Sequence, residues 1–399
     1  MDRQKSKGKT VVTMTAPVRR KGPSAYENWK AALVDAISEE TVEYPLFTDA
    51  NIIGEIREGY GPYKFLNTVP MATNARINVP AIILRVEYYI RNDVSTLNIK
   101  ETDVDLYHGG LLEDEMAALL SLSLGIRLKA GGATRRFLSG GDPKGYPVAH
   151  EAEYDPVFTT FSRFGSVLPR ALGDHSLEDS VLLPRLSDIT PNEAITLIRA
   201  ARLYQDAVWI AESEPELSWI MLVSAAETAA GYWRAANESP EERLKASRIG
   251  QDLEKTLEES GCQTLLPKLA ALFADYMGVT KKFVDFLLKF MPEPPKERPP
   301  EFFQHSWARP TMKKSLETIY RWRSRALHGG IPFPLPMCLA PRKYEGGFEE
   351  KPLGGAMAAQ NAIWLSKDTP MLLHTFEYIV RHALLDWWAS MLPKGQEAT

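Results

Sequence analysis

The sequence predicts an α+β N-terminal domain followed by an all-α helical bundle. Three observations carry this expectation. Leu84, Val86, Tyr88 and Ile90 alternate with Arg85, Glu87 and Tyr89, the two-residue period of a half-buried strand. Glycine, proline and asparagine punctuate the chain up to about residue 190. After Thr190-Pro191, stretches of helical length and helical period follow one another.

Taken in order, residues 1–24 read as a disordered basic tail, without the apolar core of a secretory signal. Ala25–Glu39 has Trp29, Leu33 and Ile37 at four-residue spacing and reads as an amphipathic helix. Residues 44–75 read as loops and short strands. Ala81–Ile90 is the clearest strand, and Val94–Ile99 would pair with it across Asn92-Asp93. Leu111–Leu128 reads as a helix stopped by Gly131-Gly132, with loops from there to about residue 190. These pieces make a mixed α+β domain over 25–188.

The second domain, 190–399, opens with Thr190 as a cap and Pro191 in the first turn. Its helices are expected at Asn192–Ala211, Glu214–Ala236, Pro240–Glu259, Gln263–Met277, Lys281–Phe290, Thr311–Leu327 and Pro370–Met391. Proline-rich stretches at 292–300 and 332–352 read as surface loops. Trp387 and Trp388 read as core residues.

Composition narrows the function classes. The 399 residues carry 47 Lys+Arg against 51 Asp+Glu, a net charge of −4. Removing the net +6 of the first 21 residues leaves −10, so any nucleic-acid contact must be local rather than global. A local basic patch around Arg127, Lys129, Arg135 and Arg136 reads first as a solvated loop. No stretch reaches the ~18 apolar residues of a membrane span. Cys262 and Cys338 lack metal-ligand spacing and read as buried thiols of a reducing, cytoplasmic setting. No cofactor and no metal is expected. Gly140 to Gly145 lacks a flanking strand and helix and reads as a turn. His150-Glu151 lacks the second histidine of a zinc motif.

The chemistry-bearing stretch is Ile319-Tyr-Arg-Trp-Arg-Ser-Arg-Ala-Leu-His-Gly-Gly330. It places Arg323 and His328 near the end of an amphipathic helix that two glycines stop. Five residues at ~100° each set the two side chains ~140° apart, so they share a cleft only if long side chains or a second chain close it. Histidine exchanges a proton near neutral pH, and arginine clamps a phosphate. RNA supplies its own 2′-hydroxyl nucleophile. The same residues also make an ordinary helix end, since basic side chains favour a last turn.

Tyr320-x-x-Arg323-Ser324-x-x-x-His328-Gly329-Gly330 resembles the Arg-x4–6-His signature of HEPN domains, closest to the Apea-like branch associated with abortive infection and phage defence. The resemblance covers residues 192–392. It implies an α-helical bundle and a metal-independent endoribonuclease whose two motifs face each other in a homodimer. Arg323 would then hold the phosphate and His328 would act as general acid/base, with Ser324 and Tyr320 in support. Arg321 and Arg325 would be candidates for binding RNA. HEPN chains often carry an acidic residue on an early helix facing the motif arginine. Glu227, in the apolar run Glu214–Ala236, needs a partner if buried, and Arg323 is the expected one. The N-terminal half matches no family on these grounds and would sense a trigger ligand or protein. Two alternatives stand beside this reading: a non-catalytic HEPN module for interaction or RNA binding, and a small-molecule enzyme centred in the N-terminal domain.

Overall fold

The computed structural model describes residues 20–34, 37–68, 80–90, 101–138, 143–149, 155–158, 165–237, 239–245, 248–273 and 278–393. Most of the expected basic tail, the strand Val94–Ile99 and His150-Glu151 lie outside the described residues. The chain combines a small, mainly antiparallel sheet with many helices, an α+β layout.

The first half contains α1 (Ser24–Ala32), β1 (Glu40–Phe47), β2 (Asn51–Ile53), β3 (Tyr63–Asn67), β4 (Pro80–Tyr88) and α2 (Leu112–Leu124). It continues with β5 (Lys129–Ala130), β6 (Arg135–Leu138), β7 (Tyr146–Pro147) and β8 (Asp174–Ser176). The main sheet runs β3-β4-β1-β6-β7, with β5 also on β1, and all its pairs are antiparallel. β2 and β8 form a separate parallel pair. Ile82, Leu84 and Val86 of β4 are fully buried, while Arg85 and Glu87 bind Glu43 at 2.5 Å and Lys64 at 2.6 Å. The two-residue period therefore divides core from charge.

β1 is the strand that sequence periodicity missed. It lies at the centre of the sheet and is buried on both faces from Tyr44 onward, so its apolar residues run together instead of alternating. The basic patch does not form. Arg127 pairs with Asp49, Lys129 with Asp206, Arg135 with Glu43 and Arg136 with Glu40.

α2 is buried all round, and its stop is Gly125 at φ 73°, not Gly131-Gly132. A side chain at Gly125 would also strike the Arg381 guanidinium, 2.8 Å from its Cβ position. That guanidinium donates to the carbonyls of Leu122 (2.9 Å) and Ser123 at the helix end. Glu115 of α2 does the converse for α1, which begins at Pro23 without a side-chain cap. Its carboxylate accepts from the Ser24 and Ala25 amides at 3.0 and 2.6 Å and contacts His108 Nε2 at 2.7 Å. α1 ends at Ala32, not at Glu39, before β1 starts at Glu40.

The second half contains α3 (Pro191–Ile210), α4 (Pro215–Asn237), α5 (Pro240–Lys245), α6 (Arg248–Glu259), α7 (Leu266–Phe273), α8 (Val279–Lys289) and α9 (Arg309–Gly329). The hairpins β9 (Lys343–Tyr344) with β10 (Gly347–Phe348), and β11 (Ala356–Ala359) with β12 (Ala362–Leu365), precede α10 (Leu373–Met391). Thr190 caps α3 reciprocally with Glu193, as Thr-Pro-x-Glu predicts. The single helix expected over 240–259 is two, α5 and α6. One apolar cluster joins both halves, from Ala25 and Trp29 through Leu119 to Trp387 and Trp388. Cys338 is buried, whereas Cys262 is exposed, against expectation.

The proline-rich stretches also differ from surface loops. Glu350, 1% exposed, accepts from Arg298 Nε and Nη2 at 2.8 and 2.6 Å and from the His305 amide at 2.7 Å. His305 Nδ1 lies 3.1 Å from the Pro370 carbonyl, and His374 Nε2 lies 2.6 Å from the Glu349 carbonyl. These bonds tie segments 298–305, 342–350 and 370–375 together, and polar groups buried with partners order a segment that composition marks as loop.

Replacing Glu115 with Ala orphans the first α1 amides and should cost about 2 kcal/mol, read by thermal or urea unfolding. Burial lowers the His374 imidazole to about 4. The unfolded chain therefore takes up that proton near pH 6.5 while the folded chain resists to about 4, and stability falls with falling pH across that window. Glu113, raised to about 7 by burial, acts in the opposite direction between about 4.5 and 7. Comparison with His374→Gln isolates the histidine: the variant's stability should fall by up to about 1.4 kcal/mol per pH unit less than the wild type's.

Candidate active site

α9 divides its side chains by helical period. Met312, Leu316, Ile319 and Trp322 enter the core, and Trp322 Nε1 donates to the Asp368 carbonyl at 2.8 Å. Lys314, Arg321, Arg325 and His328 are exposed, and their spacing of seven, four and three residues holds them within an arc of ~60°. The helix ends as its glycines predict, with Gly330 at φ 63° and its amide bonded to the Arg325 carbonyl.

Three of the expected site residues come together on the flank of this helix. Glu227 of α4 faces α9. Its Oε2 accepts from Arg323 Nη2 at 2.6 Å and its Oε1 from the Tyr320 hydroxyl at 2.8 Å. The Arg323 and Glu227 side chains are 20% and 14% exposed, so the pair sits at the edge of the core, in reach of water. Tyr320 packs on Phe283 of α8, 5.3 Å between rings. Burial first, then the bond to Glu227, raises the Tyr320 hydroxyl far above its ordinary range, and it stays a donor. Arg323 also lies over the Tyr320 ring at 5.6 Å, and its buried Nε has no hydrogen-bond partner among the described residues. The Lys282 amine of α8 lies near Gly231, one turn beyond Glu227 on α4.

The other expected residues stand apart from this cluster. His328 is exposed in the last turn, with no hydrogen bond or ion pair among the described residues. Ser324 is half-buried, and its hydroxyl makes no hydrogen bond among the described residues. Arg321 donates to Thr318 Oγ1 at 3.1 Å and lies 3.9 Å from Asp368. Arg325 covers the Trp322 ring at 4.9 Å. Lys314 was not among the sequence candidates, although its seven-residue spacing from Arg321 marks it on the same stripe.

The arrangement gives one helix two faces with different chemistry. Its flank carries an arginine held by a carboxylate and a tyrosine. Its outer face carries three further cations and an accessible imidazole, suited to a phosphate backbone. Among the described residues, no three His, Cys, Asp or Glu side chains group to hold a metal ion. Among the same residues, no helix is long and apolar enough to cross a membrane. No family model, curated protein or solved structure matches the chain.

Arg323→Ala leaves Glu227 without its cation and should cost about 3 kcal/mol of stability. Adding Glu227→Leu should restore part of that loss, because a buried pair is dearer to break than to remove. His328→Ala should change stability by no more than about 0.5 kcal/mol. Urea unfolding of the four proteins checks all three values.

Proposed function

We propose that the chain is a metal-independent endoribonuclease of HEPN type, acting as a homodimer in the cytoplasm, in the defence setting that its motif resembles. The observation that carries the reading is the Glu227–Arg323–Tyr320 cluster beside an accessible His328 on one helix end. Glu227 fixes Arg323 through Nη2 while Nε stays buried, which leaves Nη1 to meet a scissile phosphate. The imidazole of His328 moves the proton of the 2′-hydroxyl or of the leaving 5′-oxygen. Lys314, Arg321 and Arg325 hold the flanking phosphates. His328 and Arg323 point ~140° apart on one helix, which agrees with the two-protomer site that the resemblance implies. In this reading the N-terminal half, which shares its apolar core with the bundle, senses the trigger ligand or protein.

A second reading has its own support. Arg323 is already neutralised by Glu227, and an arginine of that kind serves a non-catalytic scaffold by locking α9 to α4. Purified protein incubated with mixed RNA in chelator separates the two. The nuclease cuts, leaves 2′,3′-cyclic phosphate ends, and loses at least about 100-fold in rate with His328→Ala. Cleavage retained by folded His328→Ala removes the assignment, and absence of cleavage in a folded dimer favours the scaffold.

A further inference from the structure

Two adjoining cavities lie beyond α9, the first of them lined in part by the hairpin β11–β12, and neither is used by the chemistry above. The first, about 130 Å³, is smaller than the ~300 Å³ from which drug-sized sites begin, and it suits one planar ring system. Trp364 and Met357 line it as a directly opposed cross-strand pair. The hairpin that presents them turns through Gln360 and Asn361, both at positive φ (49° and 62°). Glu349, 5% exposed, lines the same cavity. Its Oε2 accepts from the Arg342 amide at 3.4 Å, and the Arg342 cation, which also lines the cavity, acts on the same carboxylate. Its Oε1 makes no hydrogen bond among the described residues. A carboxylate oxygen that faces a cavity without a hydrogen bond is an acceptor open to a ligand's donors.

The second cavity, about 330 Å³, shares Pro352, Leu353, Ser366 and Thr369 with the first. It adds Lys351 and Lys367, neither of which has an ion-pair partner among the described residues. The two cavities therefore join an aromatic face and a carboxylate, with Arg342 beside it, to a pair of lysines without ion-pair partners among the described residues.

We propose that these cavities form a guanine-nucleotide site, with the base stacked on Trp364 and its N1–H and N2–H edge donating to Glu349, and the phosphate held by Lys351 and Lys367. The adjacent donors of guanine match a carboxylate as a guanidinium fork does, whereas adenine offers only its exocyclic amine. A free arginine side chain would satisfy Trp364 and Glu349 equally, but the two lysines repel it and attract a phosphate. The site is independent of His328. Its wall is nevertheless joined to α9, because Asp368, between Ser366 and Thr369, accepts from Trp322 and neighbours Arg321. The nucleotide can be free or part of an RNA strand, and the chemistry is the same.

Calorimetry on the full chain with 5′-GMP, 5′-AMP, guanosine and arginine tests this. GMP should bind saturably, with AMP weaker by about tenfold or more. Glu349→Gln should erase the preference for GMP over AMP. Lys351→Ala with Lys367→Ala should weaken GMP but leave guanosine unchanged. Trp364→Ala, a half-buried hairpin position, should weaken both even if Glu349→Gln proves unstable. His328→Ala should bind GMP as the wild type does, so a failed nuclease assignment and a failed nucleotide site are told apart. Competition of GMP by a short single strand carrying one guanosine, but not by its adenosine counterpart, assigns the site to RNA. GMP binding without such competition assigns it to the free nucleotide. Absence of saturable GMP binding, equal affinity for AMP, or preference for arginine overturns the proposal.

Discussion

A carboxylate in the middle of an apolar helix has to be answered, and Glu227 is answered twice. α4 packs its apolar side chains against α3, α8 and α10, so an ionised group there is tolerated only with donors on both oxygens. Arg323 and Tyr320 supply them from successive turns of α9. This sets the rotation of α9 about its own axis. With Tyr320 and Arg323 turned toward α4, Lys314, Arg321, Arg325 and His328 must face outward. One buried charge thereby decides which face of the motif helix meets a ligand.

The segment that follows the motif is held by aromatic packing. Trp219 of α4 stacks between Phe333 and Phe376, with ring centroids 5.2 and 4.8 Å away, and its indole donates to the Met337 carbonyl at 3.3 Å. The chain leaving Gly330 is therefore drawn back into the core. From there it reaches the Glu349-Glu350 pair, whose neighbouring side chains have separate tasks. Glu350 gathers Arg298 and His305, while Glu349 lines the same cavity as Trp364. Backbone alternation at the end of a strand sends adjacent carboxylates to different surroundings.

Arg381 links the halves. It leaves α10 to cover the last carbonyls of α2, and Gly125 is the residue that gives it room. The two halves therefore meet at a packed helix end. α10 also packs Phe376 against Trp219, on the helix that holds Glu227.

Much of this was legible in residue order because local rules govern it. The Thr190–Glu193 cap, the strand of Leu84 and Val86, the glycine stop after His328 and the burial of Trp387 and Trp388 follow from period, capping and apolarity. That Glu227 needs a partner was legible too, since a carboxylate in an apolar helix has to be answered, but the choice of Arg323 came from the motif's resemblance. Other features depend on groups far apart in the chain. β1 loses its alternation from Tyr44 onward because both faces are covered there, and Gly125 is the α2 stop in a helix expected to run to Leu128. The meeting of Glu349 with Trp364, and of Lys351 with Lys367, carries no periodic mark. It arises where a proline-rich stretch, pulled in by Arg298 and His374, shares a cavity with a hairpin. Short-range order specifies elements and their polar faces, and burial of charge and aromatic surface then selects which distant segments those faces meet.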